Sequence, residues 1–463
     1  LLANHLHCYL SHFLQPGTEN PIATLWVVDI TFTSSIPAPR NLRPPKEIQE
    51  REHYFTHVTW IDQTRLSVVW LRRTQNLSVV SICHERNGWA CNTNLEEIST
   101  TGWVEMAHPP LFTADTKYYF LRLPVIIKEN GSFRHIVMVS VNDKRKRPVT
   151  GGEYDVIQIL AHRQDSLSLL DSNDALKELY RKRALPQVRT FHVPIEGGFK
   201  ANVRLLLPPG LQDNEITRYP MIVFVDGRPG HQLVTERFEI HWGTYLASKK
   251  NFIYATIDGR GSGNRGDEIL HKIYKKLGSV EIEDQIAVSR YLKNDLPFID
   301  PEKIAIWGWS YGGYAAAMAL ATDTDVFECG ISVAPITSWR YYDSAYTERY
   351  MQFPAPDQNY LAYEKSSLVK KAANLKGKKY LLVHGTSDDK VHLQQSMILI
   401  KALTDAGVLF QTQIYPDEDH SLTRFTLHLY QTMESFLDQC FDIPRKEEAG
   451  LQKTTKKVFI GGR

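Results

Sequence analysis

The sequence has little net charge and no long apolar run near its start. Lysine and arginine number 54 and aspartate and glutamate number 52, which leaves a formal charge of +2. This balance gives no argument for a nucleic-acid partner. Residues 1–14 contain neither a basic stretch nor an unbroken apolar run, because His5, His7 and His12 interrupt them. We therefore expect neither a signal peptide nor a membrane span there.

Metal ligands in a recognisable pattern are also lacking. The three N-terminal histidines have no carboxylate nearby at ligand spacing. We read them as an irregular terminus and expect neither a metal site nor a cofactor.

Cysteine is sparse, with five residues, and an odd number is awkward for a complete disulfide framework. Cys83 and Cys91 flank a short turn and could close a small loop. Cys329 and Cys440 could join distant parts of the second half of the chain.

Two glycosylation sequons begin at Asn76 and Asn130. Together with pairable cysteines they favour an oxidising compartment outside the cytoplasm. Export would then need a signal that this sequence does not contain.

Residues 22–165 predict an all-β region. Short runs rich in β-branched and aromatic residues are separated by turns of Asn, Asp, Gly and Pro. These runs are residues 24–31, 57–60, 65–71, 78–82, 118–123 and 135–141. Repeated four-stranded units would make them propeller blades. Since there is no exact internal repeat, a β-sandwich is the alternative.

Beyond residues 172–186, which predict a capped and charged linker helix, the pattern changes. Apolar strand-like runs now alternate with helical stretches, which predicts a doubly wound, mostly parallel α/β sheet. The predicted strands are residues 221–225, 252–257, 304–307, 330–334 and 379–383, and the helices include residues 281–292, 314–321 and 393–406.

A Gly-x-Ser-x-Gly turn stands between a predicted strand and a helix that should begin near residue 314. Gly308 and Gly312 permit the sharp turn that raises the Ser310 hydroxyl above a sheet. The backbone N–H of Tyr311 would then point to the place where an oxyanion forms.

An acid and a histidine follow Ser310 in the order that this kind of turn requires. Asp388 lies in the loop after the predicted strand 379–383, and His420 lies in the loop after a last predicted strand at residues 412–415. Because a serine hydroxyl is a weak nucleophile without a base, His420 is the predicted base and Asp388 the residue that orients it. Asp389 is the competing candidate for the acid.

Residues 186–442 resemble the dipeptidyl peptidase IV subfamily of the prolyl oligopeptidase family, and residues 22–165 look like later blades of that family's propeller. The resemblance implies an α/β hydrolase preceded by a partial β-propeller, in a member that is incomplete at its N-terminus. The motifs that carry it are residues 258–263 (DGRGSG), 277–285 (LGSVEIEDQ), 308–313 (GWSYGG), 341–350 (YYDSAYTERY) and 384–389 (HGTSDD).

The domain organisation that follows has five parts. They are an unassigned segment 1–20, partial propeller blades 21–171, a linker helix 172–186, a peptidase domain 187–445 and a basic tail 446–463 that is expected to be disordered.

The resemblance also implies a function, a serine exopeptidase that releases N-terminal dipeptides with Pro or Ala in the penultimate position. Ser310, Asp388 and His420 match the family's triad, Ser310 forms the acyl-enzyme, and Tyr311 matches its backbone oxyanion donor. The residues that match the substrate pocket are the two aromatic walls Tyr342 and Tyr346, with Trp309, Trp339, Ile336 and Val391 lining it.

Other properties come from the resemblance alone. Disulfides are implied between Cys83 and Cys91 and between Cys329 and Cys440. The implied partners are peptides with a free N-terminus and, through a C-terminal helix like residues 427–440, a second copy of the chain. The implied location is extracellular, as a secreted protein or the ectodomain of a single-pass membrane protein.

The chain also departs from the family pattern. The family's Tyr donor to the oxyanion is replaced by Asp226, and an Asn that helps to hold the substrate carbonyl is replaced by Lys390. The Glu-Glu pair that binds the substrate's amine has no counterpart in this sequence. These departures keep a second hypothesis open, a catalytically weak or inactive binding homologue.

Overall fold

A computed structural model describes residues 14–29, 38–49, 52–105, 108–127, 131–159, 173–213, 216–322 and 325–444. Three predictions fall outside these residues: the N-terminal histidines, the Asn130 sequon and the basic tail. The chain divides into two compact units. The β unit comprises Leu1–Leu169, Gly261–Ser279 and Trp339–Ser366, and the hydrolase unit comprises Leu170–Arg260, Val280–Ser338 and Ser367–Arg463.

Strands and helices are numbered along the described residues. The strands are β1 (Leu25–Val27), β2 (Arg40–Leu42), β3 (His53–Asp62), β4 (Arg65–Arg72), β5 (Leu77–His84), β6 (Ala90–Ile98), β7 (Leu111–Phe112), β8 (Tyr118–Ile126), β9 (Ser132–Ser140), β10 (Lys146–Pro148), β11 (Gln187–Pro194), β12 (Lys200–Leu207), β13 (Tyr219–Val225), β14 (Ile253–Asp258), β15 (Ile299–Trp309), β16 (Cys329–Val333), β17 (Lys379–Gly385) and β18 (Gln411–Tyr415). The helices are α1 (Lys46–Gln49), α2 (Asp174–Arg181), α3 (Trp242–Lys249), α4 (Asp267–Leu270), α5 (Val280–Asp295), α6 (Tyr311–Thr322), α7 (Ser344–Met351), α8 (Tyr360–Lys365), α9 (Leu393–Asp405) and α10 (Thr426–Cys440).

The β unit confirms the predicted all-β region. Its described residues form two four-stranded antiparallel sheets, ordered β3-β4-β5-β6 and β10-β9-β8-β7, and the pair β1-β2. Alternating residues of one strand enter different cores, as a pleated strand requires. Val68 and Trp70 pack in one cluster with Val79, while Val69 packs in another with Tyr119.

A buried ion pair ties the helix α7 to the β sheets within the same unit. Arg73, just after β4, donates from Nε and Nη2 to the two carboxylate oxygens of Glu348 at 2.7 and 2.6 Å. The Glu348 side chain is fully buried and also accepts from the backbone N–H of Gly17 at 2.8 Å. A buried charge of this kind is stable only when paired, so the contact helps to hold residues 339–366 against the β sheets of the same unit.

The hydrolase unit confirms the predicted α/β sheet. In the described residues it has eight strands in the order β11-β12-β14-β13-β15-β16-β17-β18. The six strands from β14 to β18 in this order are parallel to one another. Strand β12 is antiparallel to both of its neighbours, β11 and β14. Every residue of β14 and β16 is buried, as expected when helices cover both faces of a sheet.

The predicted linker helix is shorter than expected. Helix α2 occupies only Asp174–Arg181, and Asn173 before it has a left-handed backbone (φ 55°) rather than the extended conformation of a capping residue. A helix therefore lies within the predicted range, and Asn173 makes no side-chain capping hydrogen bond to it.

Two disulfides are present in the described residues. Cys83 and Cys91 are cross-strand partners on β5 and β6, and Cys329 at the start of β16 is bonded to Cys440 at the end of α10. Among the helices described, none combines the length and apolar character needed to cross a membrane.

The two disulfides should differ in their contribution to stability. The Cys329–Cys440 bond closes a separation of 111 residues and the Cys83–Cys91 bond one of 8. Replacing Cys329 and Cys440 together by Ala should cost about 4–5 kcal/mol of unfolding free energy, against about 2–3 kcal/mol for Cys83 and Cys91, because a longer loop gains more entropy when it opens. Guanidinium denaturation of both double variants measures this, and a larger loss from the shorter loop would contradict it.

Candidate active site

Ser310 stands at a sharp turn between β15 and α6. Its φ is 59°, a left-handed value that is strained for a residue with a side chain, and its backbone N–H donates to the carbonyl of Val333 at 2.8 Å. Helix α6 begins at Tyr311, earlier than predicted, so the serine immediately precedes the first helical turn.

The glycines on either side of Ser310 permit close backbone contacts. A Cβ on Gly308 would lie 2.2 Å from the carbonyl oxygen of Gly312, and one on Gly312 would lie 2.1 Å from that of Val225. No side chain tolerates such distances to backbone atoms. The predicted reason for glycine at these positions is therefore visible as backbone packing.

Asp388 and His420 form a hydrogen-bonded pair. The Nδ1–H of His420 donates to Oδ2 of Asp388 at 2.7 Å, and the Asp388 side chain is fully buried. The other carboxylate oxygen accepts from the backbone N–H groups of Lys390 and Val391 at 3.0 and 2.8 Å. With Nδ1 engaged, Nε2 of His420 is the nitrogen left to accept a proton.

The pKa of Asp388 lies well below its ordinary value. Burial acts to raise the pKa, but hydrogen bonds from His384, His420 and the backbone of Val391 outweigh it. Asp388 therefore stays ionised at neutral pH and can stabilise a protonated imidazole. The competing candidate, Asp389, is exposed on the same loop.

The loop that carries His420 is attached to the residue before the serine. The indole Nε1–H of Trp309 donates to the backbone carbonyl of His420 at 3.0 Å. This contact links the ends of β15 and β18 and restrains the position of the imidazole.

The ring of Tyr311 points into the interior, and only its backbone belongs to the turn that follows Ser310. The ring is buried, and its hydroxyl donates to Oε1 of Glu281 at 2.7 Å. The backbone N–H belongs to the first residue of α6, at the positive end of the helix dipole. An oxyanion beside Ser310 would be stabilised there.

The predicted pocket residues fall into two groups. In the β unit, Trp339 is parallel to Tyr346 with ring centroids 6.2 Å apart, and Tyr342 packs edge-on against Tyr346 at 5.4 Å. Trp339 is fully buried, whereas Tyr342 and Tyr346 are half-buried. Asp343 accepts from the backbone N–H of Tyr346 at 2.7 Å and so caps α7.

In the hydrolase unit the other three predicted pocket residues differ in exposure. Ile336 and Val391 are almost completely buried, and Trp309 is half-buried. Trp309 also lines a cavity of about 320 Å³ together with Phe224, Trp242, Tyr254, Trp307 and Tyr430.

Sequence reasoning missed several residues that support this site. His384, fully buried, contacts Ser396 and the carbonyl of Val391, both at 2.7 Å, and lies 3.3 Å from Asp388. Glu281 fixes the ring of Tyr311. Both lie in motifs that the resemblance used, but a motif does not reveal a side-chain partner.

A buried carboxylate–histidine pair on the loops after β17 and β18, together with a serine at the strand-to-helix turn after β15 of the same mostly parallel sheet, is characteristic of serine α/β-hydrolases. Family models place the chain more narrowly. Residues 238–444 match the prolyl oligopeptidase family, and residues 12–169 match the dipeptidyl peptidase IV N-terminal region. The chain belongs to the dipeptidyl peptidase IV subfamily of the prolyl oligopeptidase family, which confirms the α/β-hydrolase and partial β-propeller prediction.

Individual relatives agree with this placement. The chain is 35% identical to "Dipeptidyl peptidase 4" of Sus scrofa and 44% identical to "Venom dipeptidyl peptidase 4" of Apis mellifera, each over 92% of its own length. It spans 66% and 64% of those two proteins. The crystal structure of Porphyromonas gingivalis dipeptidyl peptidase 4 superimposes with a TM-score of 0.81 at 26% identity, covering 92% of this chain and 68% of that one.

The turn around Ser310 should not tolerate alanine at Gly312. We expect Gly312→Ala to lower the melting temperature and to slow labelling of Ser310 by a fluorophosphonate at least about tenfold, because the new methyl group displaces backbone atoms of the oxyanion site. Gly151→Ala is the matched control, since a Cβ there meets nothing within 4 Å. Equal labelling of the two variants would refute the packing argument.

Proposed function

We propose that this chain acts as a serine exopeptidase that releases N-terminal dipeptides, with Pro or Ala preferred in the penultimate position. The observation that carries the proposal is the hydrogen bond of 2.7 Å between His420 and the buried Asp388, on a loop in which the carbonyl of His420 accepts from Trp309, the residue before Ser310. The names of the two relatives described above support the choice of a dipeptidyl peptidase among serine hydrolases.

The chemistry proceeds through an acyl-enzyme. Nε2 of His420 takes the proton of the Ser310 hydroxyl as Oγ bonds to the substrate's carbonyl carbon, and the oxyanion forms beside the backbone N–H of Tyr311. The protonated His420, stabilised by Asp388, gives its proton to the leaving amine as the peptide bond breaks. Water then repeats the sequence, with His420 again as base, and releases the dipeptide acid.

The remaining site assignments are part of the same proposal. Tyr342 and Tyr346 are assigned to the walls for the penultimate side chain, since flat aromatic faces suit a proline ring. Trp309, Trp339, Ile336 and Val391 keep their assignment as pocket residues.

The wider properties also stand as proposals. The substrates are peptides with a free N-terminus, and a second copy of the chain is the proposed partner, through a surface that includes α10. Disulfides favour an extracellular location. Asn76, which is half-buried, is the proposed glycosylation site in the described residues.

A fluorophosphonate probe and a Gly-Pro-anilide substrate test the proposal. The folded protein should react covalently with the probe and release the anilide, and Ser310→Ala should abolish both. A folded protein that does neither would favour the binding homologue. Labelling without anilide release would retain the serine hydrolase but reject the dipeptidyl peptidase.

Asp388 should support catalysis through His420. We expect Asp388→Asn to lower kcat by about 10³–10⁴-fold, because an amide cannot stabilise the imidazolium and can hold the wrong tautomer. Steady-state kinetics on Gly-Pro-anilide measures this, with Asp389→Asn as the control on the same loop. A comparable loss in the control would transfer the role to Asp389.

Asp388 should also make the free energy of unfolding depend on pH. Because the folded-state pKa of Asp388 is lowered, its ionisation stabilises the fold above the ordinary carboxyl pKa of about 4, and this contribution is lost as the pH falls further. The stability difference between the native protein and Asp388→Asn should therefore be constant near neutrality and shrink below about pH 4. Urea denaturation at several pH values checks this, and a difference that grows on acidification would contradict it.

A further inference from the structure

The loop after β13 carries an ion pair that the chemistry above does not use. Asp226 directly follows Val225, the last residue of β13, and its carboxylate accepts from Nε and Nη2 of Arg228 at 2.7 and 3.0 Å. The backbone N–H of Arg228 also donates to Asp226, at 3.2 Å. Nδ1 of His231 lies 3.2 Å from the second carboxylate oxygen. The carboxylate is thus held by a two-point guanidinium contact and an imidazole.

This loop contacts the turn that holds Ser310. Val225 is the register partner of Gly308, and a Cβ on Gly312 would lie 3.2 Å from Cα of Asp226. A Cβ on Gly227 would lie 3.4 Å from the ring of Tyr311. In this fold, the loop after the third strand supplies the second backbone donor to the oxyanion, and β13 is the third strand of the hydrolase sheet in chain order.

A carboxylate at this position opposes the proposed reaction. The Asp226 side chain is 16% exposed, so water screens its charge only partly. An anion that develops beside Tyr311 would be repelled by an unpaired Asp226, and Arg228 supplies the compensating positive charge. Burial lowers the pKa of His231, against an opposing effect of Asp226 and Glu239, so the imidazole is uncharged at neutral pH. The permanent positive charge in contact with the Asp226 carboxylate is therefore that of Arg228.

We propose that Arg228 is a positioning residue for the oxyanion site: it holds the Asp226 carboxylate in a two-point ion pair and cancels a charge that would otherwise raise the barrier to attack by Ser310. The inference rests on the serine-hydrolase part of the proposed function and not on dipeptide specificity. The charge of Arg228 offsets that of Asp226, so removing Arg228 should slow the attack by Ser310 mainly in a protein that still has Asp226.

The test compares Arg228→Met with the double variant Asp226→Asn/Arg228→Met. In the labelling reaction Oγ of Ser310 bonds to the phosphorus of a fluorophosphonate, the P–F bond breaks, fluoride leaves, and His420 takes the serine proton. Negative charge grows on the phosphoryl oxygen during attack, so the rate constant reports on the oxyanion site. Arg237→Met is the matched control, because Arg237 is an exposed cation of the same loop.

Arg228→Met should lower the labelling rate constant and kcat for Gly-Pro-anilide by about 10- to 100-fold, with KM changed less than about threefold. Removing the acid as well should recover most of that loss, and Arg237→Met should show no loss. Melting temperatures of all the variants establish that they are folded.

The outcomes separate this inference from the proposed function. Unchanged rates in Arg228→Met, or a double variant as slow as the single one, overturn the role of Arg228 and leave the peptidase proposal standing. Labelling rates that follow the charge pattern without any anilide cleavage support Arg228 and reject the dipeptidyl peptidase. No labelling of the native protein overturns both.

Discussion

The hydrogen bond from His420 to Asp388 depends on one constraint: the buried carboxylate of Asp388 must stay ionised at the edge of the sheet. Two backbone N–H groups and two histidines meet the carboxylate, and without them its burial would favour protonation rather than ionisation. The parallel strands make this arrangement possible, because β15, β17 and β18 end at the same edge and each is followed by one member of the proposed triad.

Two carboxylates of the hydrolase unit, those of Asp388 and Asp226, have opposite electrostatic environments. Asp388 is held ionised by hydrogen bonds from His420 and the backbone N–H of Val391, so its charge remains effective on His420. Asp226 is paired with a guanidinium, so its charge is largely cancelled at short range. Burial and hydrogen-bond partners, rather than residue type, decide what each acid contributes to the local electrostatic potential.

The sequence predicts the strands that have a strong local pattern of apolar residues, and it does not predict those that lack one. The runs that became β13, β15, β16 and β17 are continuous and apolar, and the glycines around Ser310 are required by local geometry, so both could be recognised. Strands β6, β11 and β12 were missed, since polar residues interrupt them and only their neighbours make them strands. The partner of a side chain is a tertiary property, which is why Arg228, Glu281 and His384 were not identified.

The pairing of Arg73 with Glu348 has a consequence for synthesis on the ribosome. The two residues are 275 positions apart, and the β unit takes in segments up to Ser366. A chain that ends before α7 lacks Glu348, so Arg73 has only Glu52, at 2.7 Å, as an acidic partner among the described residues of the β unit. Because Trp339–Ser366 belongs to the β unit, that unit can complete its packing only after this segment has been synthesised, and we expect its final folding step to follow synthesis of much of the hydrolase sequence.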